Sequence, residues 1–176
     1  MSSQRRAPRA APRAEFAHRN LPLLLLQARE CVIAHFRPVL NAHGITEQQW
    51  RVVRALLEHG PLEPRQIGEV CRISSPSLAG VLSRMDDVGL VRRERLAQDA
   101  RRVRVSPTAQ CRNLGATMAP QIEAVYRSLE AHIGAEFITG LYGTLDALNA
   151  RLQGLAPPPD RPIASPRNPA AGHSRK

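Results

Sequence analysis

The sequence lacks any run of about 18 apolar residues that would span a bilayer, and its N-terminus has no apolar core followed by a small-residue cleavage site. Both absences point to a protein of the cytoplasm with no membrane partner. Cysteine is sparse. Cys31, Cys71 and Cys111 are odd in number and far apart, with neither a CxxC pair nor a zinc-ligand spacing. Structural disulfides, a metal site and a cofactor are therefore not expected. All three lie in stretches that read as helix beside apolar neighbours, where a buried inert thiol is the commoner case; redox sensing, which needs an exposed low-pKa thiolate, is the competing reading. The GxSxG, Walker, Rossmann and HExxH patterns are missing, and His18, His35, His43 and His59 do not assemble into a catalytic set. An enzyme is disfavoured. Lysine is nearly absent as well: every basic side chain except Lys176 is arginine, and the formal net charge is +10. Arginine suits bidentate phosphate contacts, so nucleic acid is the leading partner, although Arg-rich codon usage would give the same composition. Position has to decide.

A chain of 176 residues fits one domain or one compact fold with a shared core. Residues 1–17 and 155–176, rich in Pro, Ala, Arg and Ser, read as flexible tails, the first basic and the second Pro-rich. Between them the punctuation is clear, and there is no internal repeat. Pro22 opens an apolar helix through Leu26, Ile33, Phe36 and Leu40, interrupted near its end by Pro38 and closed around Gly44. Thr46 and Gln49 have the spacing of a capping box for a second helix whose apolar face is Trp50, Val53, Leu56 and Leu57, ending at Gly60. Pro64 starts a short third helix with Ile67, Val70 and Cys71 inward. Ser75 as N-cap and Pro76 as the first helical residue open a fourth, with Leu78, Val81, Leu82 and Met85 facing the core and Gly89 as terminator.

The period then changes. Leu90–Leu96 and Arg102–Val105 read as short strands, with Ala97–Arg101 as the hairpin tip. Ser106 and Pro107 begin a long helix to about Ile133, bent at Pro120, and Glu136–Leu152 form the last. In that last helix Ile138, Leu141, Tyr142, Leu145, Leu148 and Leu152 keep the spacing of a helix-pairing seam. The fold class is mainly α with a small antiparallel β wing. Residues 45–106 are expected to form a winged helix-turn-helix, and residues 18–44 with 107–154 an interlocked helical dimerisation region.

That arrangement gives the charges a purpose. The fourth helix turns Ser75, Pro76, Ser77, Ala79, Gly80, Ser83 and Arg84 away from its apolar face, and small side chains there allow backbone to approach a phosphate or base edge. The hairpin adds Arg92, Arg93, Arg95, Arg101, Arg102 and Arg104; an arginine at the tip can reach the minor groove while those on the strands lie over phosphates. Asp99 would repel phosphate and reads instead as a brace for the Arg101 guanidinium. A solvated hairpin face is the plainer alternative. Because one such helix reads only a few base pairs, a homodimer on a pseudo-palindromic duplex operator is expected.

The stretch from about residue 20 to 153 resembles the MarR family of regulators. The matching motifs are Pro76-Ser77, Arg84-Met85-Asp86, Gly89-Leu90-Val91, and Asp99-Ala100-Arg101-Arg102 before Val105-Ser106-Pro107-Thr108. Gly80, where an arginine is frequent, and Pro107, where leucine is usual, depart from the pattern. Residues 24–30 and 36–56 and the opening at Ser75–Leu78 are similar to the branch that regulates catabolism of aromatic acids of the homoprotocatechuate and hydroxyphenylacetate type. The resemblance implies a homodimeric repressor released by a small aromatic acid. It also implies ligand-lining positions at Ile33, Phe36, Leu40, Glu47, Trp50, Arg54, Ile122 and Tyr126, with Asn20 contributed across the dimer.

Chemistry supports part of that set independently. Trp50 and Arg54 are four residues apart on one helix face, and an indole wall beside a guanidinium fork suits a flat aromatic carboxylate. Glu47, one turn earlier, is placed to accept a ring hydroxyl or heterocycle N–H. The same spacing also accommodates Trp50 as ordinary core and Arg54 paired with Glu58. A cysteine-sensing repressor, a ligand-free architectural DNA-binding protein and a protein-interaction helical bundle are the competing functions.

Overall fold

The computed structural model describes residues 16–96, 99–153 and 155. The elements run α1 (Leu21–Ala42), α2 (Glu47–His59), α3 (Pro64–Cys71), α4 (Ser75–Asp87), β1 (Val91–Leu96), β2 (Asp99–Pro107), α5 (Ala109–Ile133) and α6 (Ala135–Gln153). Residues up to Ser128 and those from Leu129 onward form two compact units.

The helix boundaries of the first unit follow from local chemistry. Asn20 caps α1, its Oδ1 accepting from the Leu23 amide at 3.1 Å, and the helix then runs through Pro38 to Ala42. Thr46 and Gln49 form the reciprocal capping box of α2, with bonds of 3.2 and 2.8 Å. Arg72 ends α3 in the left-handed region at φ 51°, an uncommon conformation for a side-chain-bearing residue. Ser74, rather than Ser75, occupies the N-cap of α4, so Pro76 sits one position further in; Ser74-Ser75-Pro76 offers two candidate caps one residue apart. Thr108 closes the hairpin and opens α5: its Oγ1 lies 2.7 Å from the Gly89 carbonyl and accepts from the Cys111 amide at 3.1 Å. The fifth helix therefore begins at Ala109, later than the Ser106-Pro107 start expected from proline placement, because β2 continues through Pro107.

Val52, Val53, Leu56, Ile67, Val81, Met85, Val91, Val105, Cys111 and Met118 form the innermost core of this unit. Two expected core positions are corrected: Leu57 and Val70 are exposed, while Val52 and Ala55 are buried in the α2 face. The buried face of α2 is centred on Val52, Val53, Ala55 and Leu56, which leaves Leu57 at its edge, and periodicity alone does not fix where that face is centred. Cys71 and Cys111 are buried, whereas Cys31 is exposed on α1, contrary to the expectation for all three.

The hairpin is longer than expected. β2 starts at Asp99, so the expected five-residue tip belongs largely to the ladder, which pairs Arg93 with Val105 and Arg95 with Val103 before shifting register between Arg95 and Leu96. Leu62, just before α3, adds an isolated antiparallel bridge to Val105 through bonds of 3.0 and 2.8 Å. In the second unit, α6 buries none of its residues, and Phe137, Leu141, Tyr142 and Leu152 are exposed. No helix among the described residues is long and apolar enough to cross a membrane.

Candidate nucleic-acid interface and adjoining cluster

Burying Leu78, Val81, Leu82 and Met85 turns the opposite side of α4 outward. Ser75, Pro76, Ser77, Ala79 and Arg84 are exposed, and Gly80 and Ser83 half-buried. The serine hydroxyls of Ser74 and Ser77 lie 3.1 Å apart, over the first turn of the helix. A Cβ at Gly80 would meet only the Arg84 guanidinium, at 3.4 Å, so the glycine leaves open surface along the exposed side.

Two acid–arginine pairs hold the base of the wing. Arg93 Nε of β1 donates to Asp86 Oδ2 of α4 at 2.9 Å, and Arg102 of β2 pairs with Glu63, the N-cap of α3. Arg92 pairs with Glu94 at 2.8 Å. Arg84, Arg95 and Arg104 are exposed and make no ion pair among the described residues, which leaves their charge for an external anion. Reading charge along the chain missed this division of labour, because Glu63 and Arg102 are 39 positions apart. The expected brace between Asp99 and Arg101 falls on side chains outside those described, the structure giving only the strand backbone there. A cleft of about 290 Å³ sits between α3, α4 and the wing, lined among others by Pro64, Ser75, Leu78, Arg93 and Val103.

Of the second group of expected site residues, Phe36, Arg54 and Tyr126 are brought together. The Tyr126 and Phe36 rings meet edge to face with centroids 4.9 Å apart at 64°, and Arg54 Nη1 lies 3.5 Å from the Tyr126 hydroxyl. Leu40 and Ile122 are buried, and Ile33 and Trp50 half-buried. Arg54 Nε also donates to Glu58 at 2.7 Å. Bonding to Glu58 first, and to Tyr126, raises the guanidinium pKa against the opposing effect of burial. Of the two arrangements left open by the spacing, the Arg54–Glu58 pair is present, and the aromatic side chain within reach of the guanidinium is Tyr126 of α5.

Two further positions have partners inside the chain. Glu47 accepts a hydrogen bond from Arg29 of α1 and lies 3.6 Å from Arg51 Nε, and Asn20 serves as the α1 cap. The Arg51 connections were missed, although the Glu47-to-Arg51 spacing of one helical turn was there to be read.

The short helix, turn, outward-facing second helix and two-stranded hairpin define a winged helix-turn-helix protein. Residues 43–102 match the family model described as "MarR family". The chain is 40% identical over 119 residues to the homoprotocatechuate degradative operon repressor of Escherichia coli, covering 68% of this chain and 80% of the relative. It is 36% identical, over 68% of itself and 82% of the relative, to the HTH-type transcriptional regulator FarR of Neisseria gonorrhoeae. Among solved structures, NadR in complex with 4-hydroxyphenylacetate is 34% identical with a TM-score of 0.67, covering 78% of this chain and 97% of that one. The chain belongs to the MarR family of transcriptional regulators.

Proposed function

We propose that this protein is a cytoplasmic homodimeric repressor that holds a pseudo-palindromic duplex through α4 and the wing and releases it when a small aromatic carboxylate occupies the cluster around Arg54. The observation that carries the reading is the Arg54 guanidinium set beside the Tyr126 hydroxyl and the Phe36–Tyr126 ring pair. A carboxylate would take two guanidinium hydrogen bonds while its ring packs against the aromatic edge. Glu58 is a weak competitor, since an exposed pair one helical turn apart is worth only about 0.3–0.5 kcal/mol. The relatives support the ligand class: one is named for a homoprotocatechuate operon, and another was solved with 4-hydroxyphenylacetate.

Exposed Leu21, Leu25 and Leu26 on α1 and Phe137, Leu141 and Tyr142 on α6 support association with a second copy. The half-sites should lie about 34–36 Å apart, one turn of duplex. Release requires unequal ligand affinity for two arrangements of the dimer; a coupling of about 1–3 kcal/mol changes operator affinity roughly 5- to 150-fold.

The test titrates 4-hydroxyphenylacetate into protein bound to a duplex selected from a random pool. Arg54→Ala should keep ligand-free duplex affinity within about twofold and need at least roughly tenfold more ligand for release, the loss expected for a charged hydrogen bond. A folded Arg54→Ala protein that releases duplex at the wild-type ligand concentration removes Arg54 as the anchor. Binding to no duplex at any salt concentration removes the repressor reading altogether.

A further inference from the structure

Arg51 joins the second helix to the turn that launches α4. Its Nη1 donates to the Cys71 carbonyl, at the last residue of α3, at 2.7 Å, and the Cys71 thiol donates back to the Arg51 carbonyl at 3.4 Å. Arg51 Nε is buried without a hydrogen-bond partner and stands 3.6 Å from Glu47 Oε1. That same carboxylate oxygen accepts from Arg29 of α1. Directly after Cys71 the chain turns through left-handed Arg72, and the Ile73 amide donates to the Gly68 carbonyl at 3.1 Å. Gly68 permits the tight return, since a Cβ there would lie 3.2 Å from the Ile73 carbonyl oxygen.

We propose that Arg51 is a positioning residue that carries the state of Glu47 into the α3–α4 turn and so sets where the reading helix begins; this rests on the duplex-reading part of the function proposed above. One carboxylate serves two guanidinium groups. Drawn to Arg29, it leaves the buried Arg51 Nε without a bond; drawn to Arg51, it satisfies that donor and gives up α1. A buried unsatisfied donor is costly, and so is a lost charged hydrogen bond, so each arrangement carries a cost that the other avoids. Any third claimant on Glu47, such as a ligand hydroxyl, shifts the balance between them. The shift reaches the turn through a single rigid guanidinium, whose Nε faces Glu47 at 3.6 Å on one side while its Nη1 binds the Cys71 carbonyl on the other.

The arginine Nε proton and the Ile73 amide give separate nuclear magnetic resonance readouts in the full-length protein. Arg29→Ala frees Glu47 for Arg51, so exchange of the Arg51 Nε proton and of the Ile73 amide should slow by about fivefold, the effect of roughly one hydrogen bond. Glu47→Gln keeps the shape, removes the charge and should speed both. Arg51→Lys offers a point charge in place of a fork, and should lose Ile73 protection and weaken binding to the selected duplex about fivefold or more. If Arg51 were only structural, Arg51→Lys would still weaken binding, but Ile73 exchange would ignore both Arg29→Ala and Glu47→Gln; that result overturns the proposal. With wild-type protein, duplex release by 4-hydroxyphenylacetate without a change at Ile73 also overturns it. Failure of the ligand to release duplex sinks the effector reading instead, and the three variants still decide the role of Arg51.

Discussion

Helices α2 and α6 carry similar apolar spacing and meet opposite fates. In α2, Val52, Val53, Ala55 and Leu56 are all buried, whereas α6, with a longer apolar seam, has no fully buried residue: Ile138, Leu145 and Leu148 are half-buried, and Leu141, Tyr142 and Leu152 are exposed. The difference lies in what each helix is given to pack against: α2 contacts α1, α3, α4 and β2. An apolar stripe predicts burial, then, without saying whether the same chain or another supplies the partner surface.

The largest expected effect sharpens that contrast. Leu56→Ala should destabilise the protein by about 2–5 kcal/mol in denaturant unfolding, since Leu56 is fully enclosed and its removal leaves a cavity. Leu141→Asp with Tyr142→Asp on α6 should leave the first unit folded and instead shift sedimentation toward monomer, with loss of duplex affinity. Equal loss of first-unit stability from both sets of changes, at high dilution, would collapse the distinction between an inward and an outward helix.

The wing repeats the contrast at the level of charge. Arg93 and Arg102 are committed to Asp86 and Glu63, while Arg84, Arg95 and Arg104 are exposed without an ion pair among the described residues. Arg95→Ala should weaken duplex binding and lower the salt slope by about one unit, as expected when one phosphate contact is lost. Arg92→Ala, whose side chain already has Glu94, should do less. A steeper loss for Arg92 than for Arg95 in the same salt series would reverse the assignment of bracing and contacting arginines.

Much of this architecture was legible because its signals are local. Gly44, Gly60 and Gly89 all have positive φ close to where a helix was expected to end, and Leu78, Val81, Leu82 and Met85 face inward at the spacing that pointed to them. The misses share a different cause. Leu62 bridges Val105, Glu63 meets Arg102, and Arg51 reaches the Cys71 carbonyl; each joins distant positions, which no spacing rule connects. Around Arg54 the residue types were readable from spacing and resemblance, but the roles of neighbours were not. Asn20 caps α1 and Glu47 is engaged by Arg29 because polar groups near helix termini and facing helices find partners within the fold.

The smallest expected effect sets the closed and open regions side by side through their thiols. Burial raises the pKa of Cys71 and Cys111 above the ordinary 9.0, with Arg51 and Arg112 opposing the shift only in part. At neutral pH both therefore hold even less thiolate than a free cysteine, and thiolate is the reactive form. Cys31, exposed on α1, should label first with an alkylating reagent in dilute protein, while Cys71 and Cys111 label only as the chain unfolds. The sign of the stability effect follows from the same shift. Below the unfolded thiol pKa both states hold their protons and stability is flat; above it the folded chain holds more protons than the unfolded one, so stability declines as pH rises toward the folded values. Replacing Cys71 and Cys111 by alanine should remove the thiols' share of the alkaline decline, at the cost of small cavities, and leave Cys31 labelling unchanged. If α1 closes against a second copy, Cys31 labelling should slow as protein concentration rises while the other two thiols stay indifferent to it. Fast labelling of Cys71 or Cys111 in the folded protein would show that the α2–α3–α4 region opens readily, and would place it with α6 rather than against it.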